Sequence, residues 1–357
     1  TDLYLKNFLV QNETIYTLDG DGVRRLPPIF KERQKLHNLA TLFSKMDVLD
    51  DCWIPQLYER YCSHLALLST PFAEAEIWYI TQKIRRKVAS SYADKKVFRA
   101  CTDVRVQKDF RHYIAVASQF DIAGFSVSLL DAVLSNKDQN LKNGNTCTIA
   151  KVLIEREAVE KTLVEKIWVV VKRYNIKNFW HGLSRAFRVS RAAISWANAH
   201  RLMISGVATP QPVALIEERF GWFKRRTYFL SEYVDAPDAL EYFASDIDKE
   251  SAAIHLAALF YKLYLLKFSH GDCKATNIKM VDGMPVLIDL DGMKAHSMHW
   301  LCEPRFKRQH IKDLKRLMKN WEHDTEVTAI LKSAFVQKYN EQYPFENDPI
   351  LQRAGIA

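Results

Sequence analysis

The chain is 357 residues long, 48% hydrophobic and 26% charged, with a net charge of +9. The length sets two domains as the prior, each able to bury a core, and the balance excludes a disordered chain. The 11 glycines never fall as G-x-G-x-x-G or G-x-x-x-x-G-K, which excludes a dinucleotide fingerprint and a P-loop, and no run of 18 apolar residues is present to span a membrane.

Residues 14–18 predict a short strand, stopped by Asp19-Gly20-Asp21-Gly22. Residues 31–135 read as mostly helical, with Leu36, Leu39, Phe43 and Met46 near helical spacing. A polar, turn-rich stretch at 137–145 marks a boundary, dividing the chain into 1–138 and 139–357. Beyond it, 146–155 and 167–174 predict strands. In the second, Ile167, Val169 and Val171 share one face, and Trp168, Val170 and Lys172 the other. A helix is expected over 190–205, closed by Gly206 and Pro210, then strands over 213–217 and 228–234. From Lys249 the period is helical, with Leu256, Leu259, Phe260, Leu263 and Leu266 in one stripe. A loop, a strand at 285–288 and further helices complete an α+β plan with two lobes, at about 145–235 and 236–357.

The strongest signal is internal. Residues 1–25 and 271–295 align without a gap at an offset of 270, pairing Asp2 with Asp272, Asn7 with Asn277, Asp19 with Asp289, Asp21 with Asp291 and Gly22 with Gly292. A looser match at an offset of 275 pairs Asn38 with Asp313. Phosphoryl transfer from a nucleotide wants this spacing. A carboxylate orients the attacking hydroxyl and takes its proton, while an Asn and a second Asp supply the oxygen ligands that Mg²⁺ prefers. In the downstream copy, His270-Gly271-Asp272-Cys273-Lys274-Ala275-Thr276-Asn277, the base would be Asp272 and the metal ligands Asn277 and Asp289. Lys274 would steady the transferred phosphate.

H-G-D-x-K-x-x-N followed by V-L-I-D-L-D-G resembles the catalytic core of the protein-kinase-like superfamily. Upstream, Val169–Asn175, Ser190-Arg191-Ala192, Trp196 and Thr209–Ala214 resemble the Kdo/heptose lipopolysaccharide core kinases over roughly 145–320. The resemblance implies a bilobal kinase fold with a small β-rich lobe, ATP and Mg²⁺ as cofactors, and phosphorylation of an inner-core sugar or lipid-linked acceptor. It also implies a cytoplasmic protein at the inner face of the inner membrane. By position, Lys172 would meet the α- and β-phosphates, and Glu232-Tyr233-Val234 would form the hinge whose backbone contacts adenine.

Two features depart from the pattern. Residues 173–216 contain no Asp or Glu, and Ser195 stands before Trp196 where the family often has Glu. The partner of Lys172 is therefore expected at Glu155, Glu157 or Glu160, or not at all. The glycine-rich loop is also missing, since the turn between the first two strands reads Arg156-Glu157-Ala158-Val159-Glu160-Lys161. A degenerate kinase-like scaffold, or another small-molecule kinase resembling aminoglycoside phosphotransferases, stays open. The upstream copy is expected to be inactive. Asp2, Asn7 and Asp19 keep the acid and metal positions, but Tyr4 replaces the phosphate lysine, and Thr1 already lies inside the loop. Residues 1–138 are expected to be the helical C-lobe of a truncated first kinase unit in a longer tandem protein.

The acid-free stretch carries Arg173, Lys177, Arg185, Arg188, Arg191 and Arg201 among aromatic residues. It reads as a basic rim for a phosphorylated lipid, its sugar core or an anionic membrane, against the alternative of a solvated helix face. The clusters at 83–87 and 224–226 read as solvated surface. No nucleic-acid motif accompanies the charge. Six scattered cysteines without C-x-x-C predict reduced thiols and no zinc site. His270 is expected to brace the catalytic loop, and Cys273 to be an inert thiol.

Overall fold

The computed structural model describes residues 5–18, 20–25, 31–65, 74–121, 125, 127–135, 140–144, 146–157, 164–175, 189–221, 223–245, 248–340 and 349–357. A hairpin of β1 (Phe8–Gln11) and β2 (Thr14–Thr17) comes first, then α1 (Lys31–Phe43), α2 (Ile54–Leu65) and α3 (Glu74–Asp94). Leu36, Ala40 and Phe43 of α1 meet Ile54, Tyr58 and Ile77 in a small core. Beside it Arg85 is buried, its guanidinium holding both oxygens of buried Asp51 at 2.7 and 2.8 Å. A buried charge pair of this kind holds only because both partners are satisfied. Arg85 is therefore not the solvated cation the sequence suggested, and neither is Arg86, which is partly buried and bonds main-chain carbonyls.

The first lobe is a seven-stranded antiparallel sheet in the order β3-β4-β8-β9-β7-β6-β5. Its strands are β3 (Val104–Lys108), β4 (His112–Ala117), β5 (Asn140–Asn143), β6 (Cys147–Glu157), β7 (Val164–Tyr174), β8 (Pro212–Phe220) and β9 (Phe223–Glu232). The strands expected at 146–155, 167–174, 213–217 and 228–234 are β6 to β9. β3 and β4 were not expected, since 104–117 was read as helical. β4 pairs onto β8 through Ile114 opposite Ile216 and Ala115 opposite Leu215, and β3 pairs onto β4 at the edge. α4 (Val127–Ser135) covers one face, burying Leu130 and Leu134 with Val169, Val171 and Leu230. The boundary expected at 138/139 thus falls between elements that share one sheet and one core. Central β8 is buried over its first seven residues because both faces are covered, so it shows no alternation.

The other face receives α5 (Arg191–Ile204). Ser190 caps it, accepting from the Ala193 amide at 3.0 Å. Fully buried Trp196 donates to the Val97 carbonyl at 3.0 Å, tying α5 to the chain after α3. Arg201 of α5 pairs with Asp94 of α3.

The second lobe is helical. α6 (Ala239–Ala244) opens on a capping box between Asp238 and Glu241. α7 (Lys249–Leu266) runs through the core, with α8 (Glu303–Met318), α9 (Thr325–Asn340) and α10 (Ile350–Ala354) around it. Between α7 and α8 lie β10 (Phe268–Ser269), a 3₁₀ turn at Ala275–Asn277, the hairpin β11 (Ile278–Val281) and β12 (Met284–Leu287), a 3₁₀ turn at Leu290–Gly292, and β13 (Lys294–Ala295), which pairs with β10.

The sequence repeat has a counterpart in these elements. A 3₁₀ turn at Leu5–Asn7, the β1–β2 hairpin and a 3₁₀ turn at Gly20–Gly22 recur in the same order downstream. Leu18 donates to the Asn7 carbonyl at 2.7 Å, as Ile288 does to Asn277 at 3.0 Å. The settings differ. Every residue of β2 is exposed, whereas Leu287 of β12 is fully buried. Asp2 and Asp19 lie outside the described residues.

Candidate active site

The loop at 270–277 is shaped by contacts that only certain residues permit. Gly271 has φ +84°, and a Cβ there would stand 2.6 Å from the Gly292 carbonyl oxygen. The left-handed backbone and the close approach both demand glycine. Asp313 of α8 accepts from the His270 and Gly271 amides at 2.8 and 3.0 Å. Burial raises its pKa to about 6, against the two amides and Arg316, which favour the ionised form. His270 is buried, and burial lowers its pKa, so the ring is neutral at pH 7. Its Nε2 lies 2.9 Å from the Ile288 carbonyl, which assigns the proton to Nε2. The imidazole braces the loop, as expected of it. Cys273 is fully buried, and burial pushes its thiol pKa up, leaving it unreactive.

Asp272 reaches the surface. Its Oδ1 is 2.5 Å from Arg316 and 3.9 Å from Lys274 Nζ. The Asn277 side-chain amide donates to the Asp272 carbonyl at 2.8 Å, which spends its nitrogen and leaves its oxygen for another partner. Asp289 has φ +61° and ψ +59°, a left-handed conformation that a non-glycine residue adopts at a cost of roughly 1–3 kcal/mol. Such strain concentrates at functional turns.

Lys172 of β7 reaches across the cleft between the lobes. It pairs with Asp289, and with Asp291 at 3.1 Å. Burial works to lower its pKa, but Tyr174, Asp289 and Asp291 more than reverse this, and the ammonium stays charged. The partner therefore comes from the second lobe rather than from the first-lobe acids suggested by the sequence. Glu155 stands opposite Lys166 on β6, while Glu160 and the Glu157 side chain lie outside the described residues. On α5, Arg191 takes Asp291 at 2.7 Å. Ser195, at the position of the missing Glu, hydrogen-bonds the Tyr174 hydroxyl at 3.0 Å. The helix thus reaches the site through a cation on a carboxylate, with the polarity opposite to a lysine–glutamate pair.

A cavity of about 430 Å³ joins these groups. Ile149, Val170 and Phe229 form its apolar part, Lys172, Asn277 and Asp289 its polar end, and Glu232, Tyr233 and Val234 its edge. That size and division suit an aromatic base followed by phosphates. At the edge, the Tyr233 amide is taken by the Trp168 carbonyl at 2.8 Å, and Glu232 pairs with Arg156 at 2.8 Å. Burial raises the Glu232 pKa against that pairing. Lys151 lies 3.7 Å from the Tyr233 ring centroid.

Asn277 and Asp289 line one cavity and offer only oxygen donors, a set that fits Mg²⁺ and not a soft metal. Lys172 would have to share Asp289 with the ion. Among the described residues no group of three or more His, Cys, Asp or Glu forms a metal cluster, so phosphate oxygens or water would complete the shell.

Asn277, Asp289, Lys172 and the 232–234 edge line one cavity, Asp272 is joined to them through the Asn277 amide, and Lys274 stands beside Asp272. Asn7 of the upstream copy is half-buried at the end of the 3₁₀ turn that precedes the exposed β1–β2 hairpin. Sequence reasoning gave no role to Asp291, Arg316 or Asp313, and placed Arg191 only in the basic rim rather than on Asp291. For Asp291 the repeat itself held the signal, since it pairs with Asp21. In the basic rim, Arg173 and Arg191 are engaged with Asp131 and Asp291, while Lys177, Arg185 and Arg188 lie outside the described residues.

A family model for lipopolysaccharide kinases (Kdo/WaaP) matches residues 154–339, from β6 through the cleft to α9. No curated protein matches the chain.

Proposed function

The chain belongs to the lipopolysaccharide kinase (Kdo/WaaP) family, and from that premise we propose that it transfers the γ-phosphate of ATP to a hydroxyl of a lipopolysaccharide core sugar, heptose or Kdo. The observation that carries this reading is the convergence of Lys172, Asp289 and Asn277 on one interlobe cavity, with Asp272 fixed to Asn277 at its mouth.

In this reading Asp272 orients the acceptor hydroxyl and takes its proton as the oxygen attacks the γ-phosphorus and the bond to the β-phosphate oxygen breaks. Lys274 and Arg316, both beside Asp272, would receive the transferred phosphoryl group. Lys172 would move from the carboxylates toward the α- and β-phosphates. Asn277 and Asp289 would hold Mg²⁺, which neutralises phosphate charge when bound. The hinge residues 232–234 would border the base. The acceptor is lipid-linked, so contact with the cytoplasmic side of a bilayer belongs to the same proposal. No helix among the described residues is long and apolar enough to cross a membrane.

The test is transfer from γ-labelled ATP to purified lipopolysaccharide core with Mg²⁺. Asp272→Ala should lower kcat by about 10²- to 10⁴-fold. Equal turnover in that variant contradicts the assignment. One observation favours a second reading. Lys172 is held by two carboxylates, with no glutamate on α5. A degenerate site of this kind would bind Mg-ATP without turning over any acceptor.

A further inference from the structure

Two larger cavities lie on the far side of α5 from the nucleotide cleft, of about 810 and 530 Å³. They adjoin, sharing Ser90 and Arg201 with Ala295, His296 and Ser297, and they share no lining residue with the cavity that contains Lys172. One wall is α3; the other is the segment after β13.

The charge on these walls is one-sided. Arg86 bonds the carbonyls of His296 and Leu266, the latter at 2.5 Å, and among the described residues no carboxylate is in ion-pair contact with it, Glu303 acting on it only at longer range. Its Nε is buried and unbonded among the described residues. Lys83, Lys87, Lys294 and Arg305 are exposed and have no ion-pair partner among the described residues. The acids that line the larger cavity are spent: Asp94 on Arg201, and Glu217 on Arg219 and Lys224. Burial first, then Lys294, Arg305 and Arg86, lower the pKa of His296 between the two cavities, against Glu303, whose carboxylate is taken by Lys267 at 2.9 Å and Lys307 at 3.6 Å. Five cations without ion-paired carboxylates among the described residues, Lys294 and Arg305 on the larger hollow and Lys83, Arg86 and Lys87 on the adjoining one, make an arrangement that an anion completes, and Arg and Lys together suit phosphate.

We propose that the cleft between α3 and the 294–305 segment is a second anion site, taking a ligand that carries two or more phosphate groups and is distinct from the nucleotide. Asn198 of α5 lines it and donates to the Leu290 and Met293 carbonyls at 2.9 and 3.0 Å. The site therefore backs directly onto the turn that carries Asp289 and Asp291. Trp300 and Leu301, 75% and 62% exposed, stand at the same segment. An exposed Trp-Leu pair beside a basic hollow suits a bilayer surface. The phosphates can thus come from a soluble polyphosphate or from a lipid headgroup.

Both sources are testable on the full chain without any assumption about catalysis. Inorganic tripolyphosphate is titrated by calorimetry. In parallel, phosphatidylcholine vesicles with and without cardiolipin are sedimented with the protein. Arg86 bonds main-chain carbonyls and would disturb packing if replaced, so the exposed pair is used. Lys294→Ala with Arg305→Ala should weaken binding by about tenfold or more in whichever arm binds, while Lys172→Ala leaves it unchanged. Binding only to cardiolipin vesicles, reduced by Trp300→Ser, assigns a headgroup; binding of tripolyphosphate assigns a soluble ligand. Binding in neither arm, binding indifferent to the double variant, or binding lost with Lys172→Ala overturns the proposal.

Discussion

At the scale of single residues, the lysine of β7 finds both of its partners on one short turn, Asp289 and Asp291, and Arg191 shares the second of them. Four charged groups thus settle with two of each sign, so a buried ammonium persists without a glutamate on α5. A second residue of α5 makes a pH prediction. His200 is packed between the Tyr92 and Trp196 rings, and burial lowers its pKa to about 4, with Asp103 acting against the shift. The unfolded imidazole titrates near 6.5. As pH falls from 6.5 to about 4, the unfolded chain takes a proton that the folded chain refuses, so stability is lost across that window and is fully present above it. The loss is on the order of 3 kcal/mol. Denaturant midpoints for the native chain and for His200→Phe, measured from pH 7 to pH 4, should show a shallower decline in the variant. Parallel curves would contradict the assignment. The same scale shows what the sequence could reveal. Asp272, Asn277 and Asp289 lie within 18 residues, and their chemistry is set by that local spacing, so it was legible. Arg191 and Arg316 act through docking of distant helices, which no local spacing records.

At the scale of elements, β6 to β9 and α5 were legible because each carries its own signal: branched residues, an N-cap at Ser190, a stop at Gly206. β3 and β4 were not. The stretch 104–117 carries no turn glycine between its strands, and β4 is buried at four consecutive positions, so it shows no alternation to separate a strand from a helix. Its identity is imposed by β8. That pairing makes a prediction about the expected boundary. A fragment of residues 139–357 would lack β3, β4 and α4, baring Val213, Ala214 and Ile216 and the face under Leu130 and Leu134. It should aggregate or fail to show a cooperative thermal transition, whereas residues 101–357 should recover more soluble material. A soluble 139–357 fragment melting cooperatively would show that the first lobe does not need the upstream strands.

At the scale of the molecule, the upstream helices are joined to both lobes of the downstream unit. Lys262 of α7 pairs with Asp47 and donates to the Gly206 carbonyl at 2.6 Å, and Arg86 of α3 grips the end of α7. The repeated segment at 5–25 was legible from sequence, but its setting was not: a hairpin with the same turns is exposed in one copy and in the other buries one face, through Ile278, Met280 and Leu287, in the core of the second lobe. The cleft between the lobes is where the whole account converges, and calorimetry of Mg-ATP on the full chain addresses it most directly. Binding should require the divalent ion and fall by about tenfold or more in both Lys172→Ala and Asp289→Ala. Affinity that is the same in all three proteins, or indifferent to Mg²⁺, would contradict a nucleotide site built on these two residues.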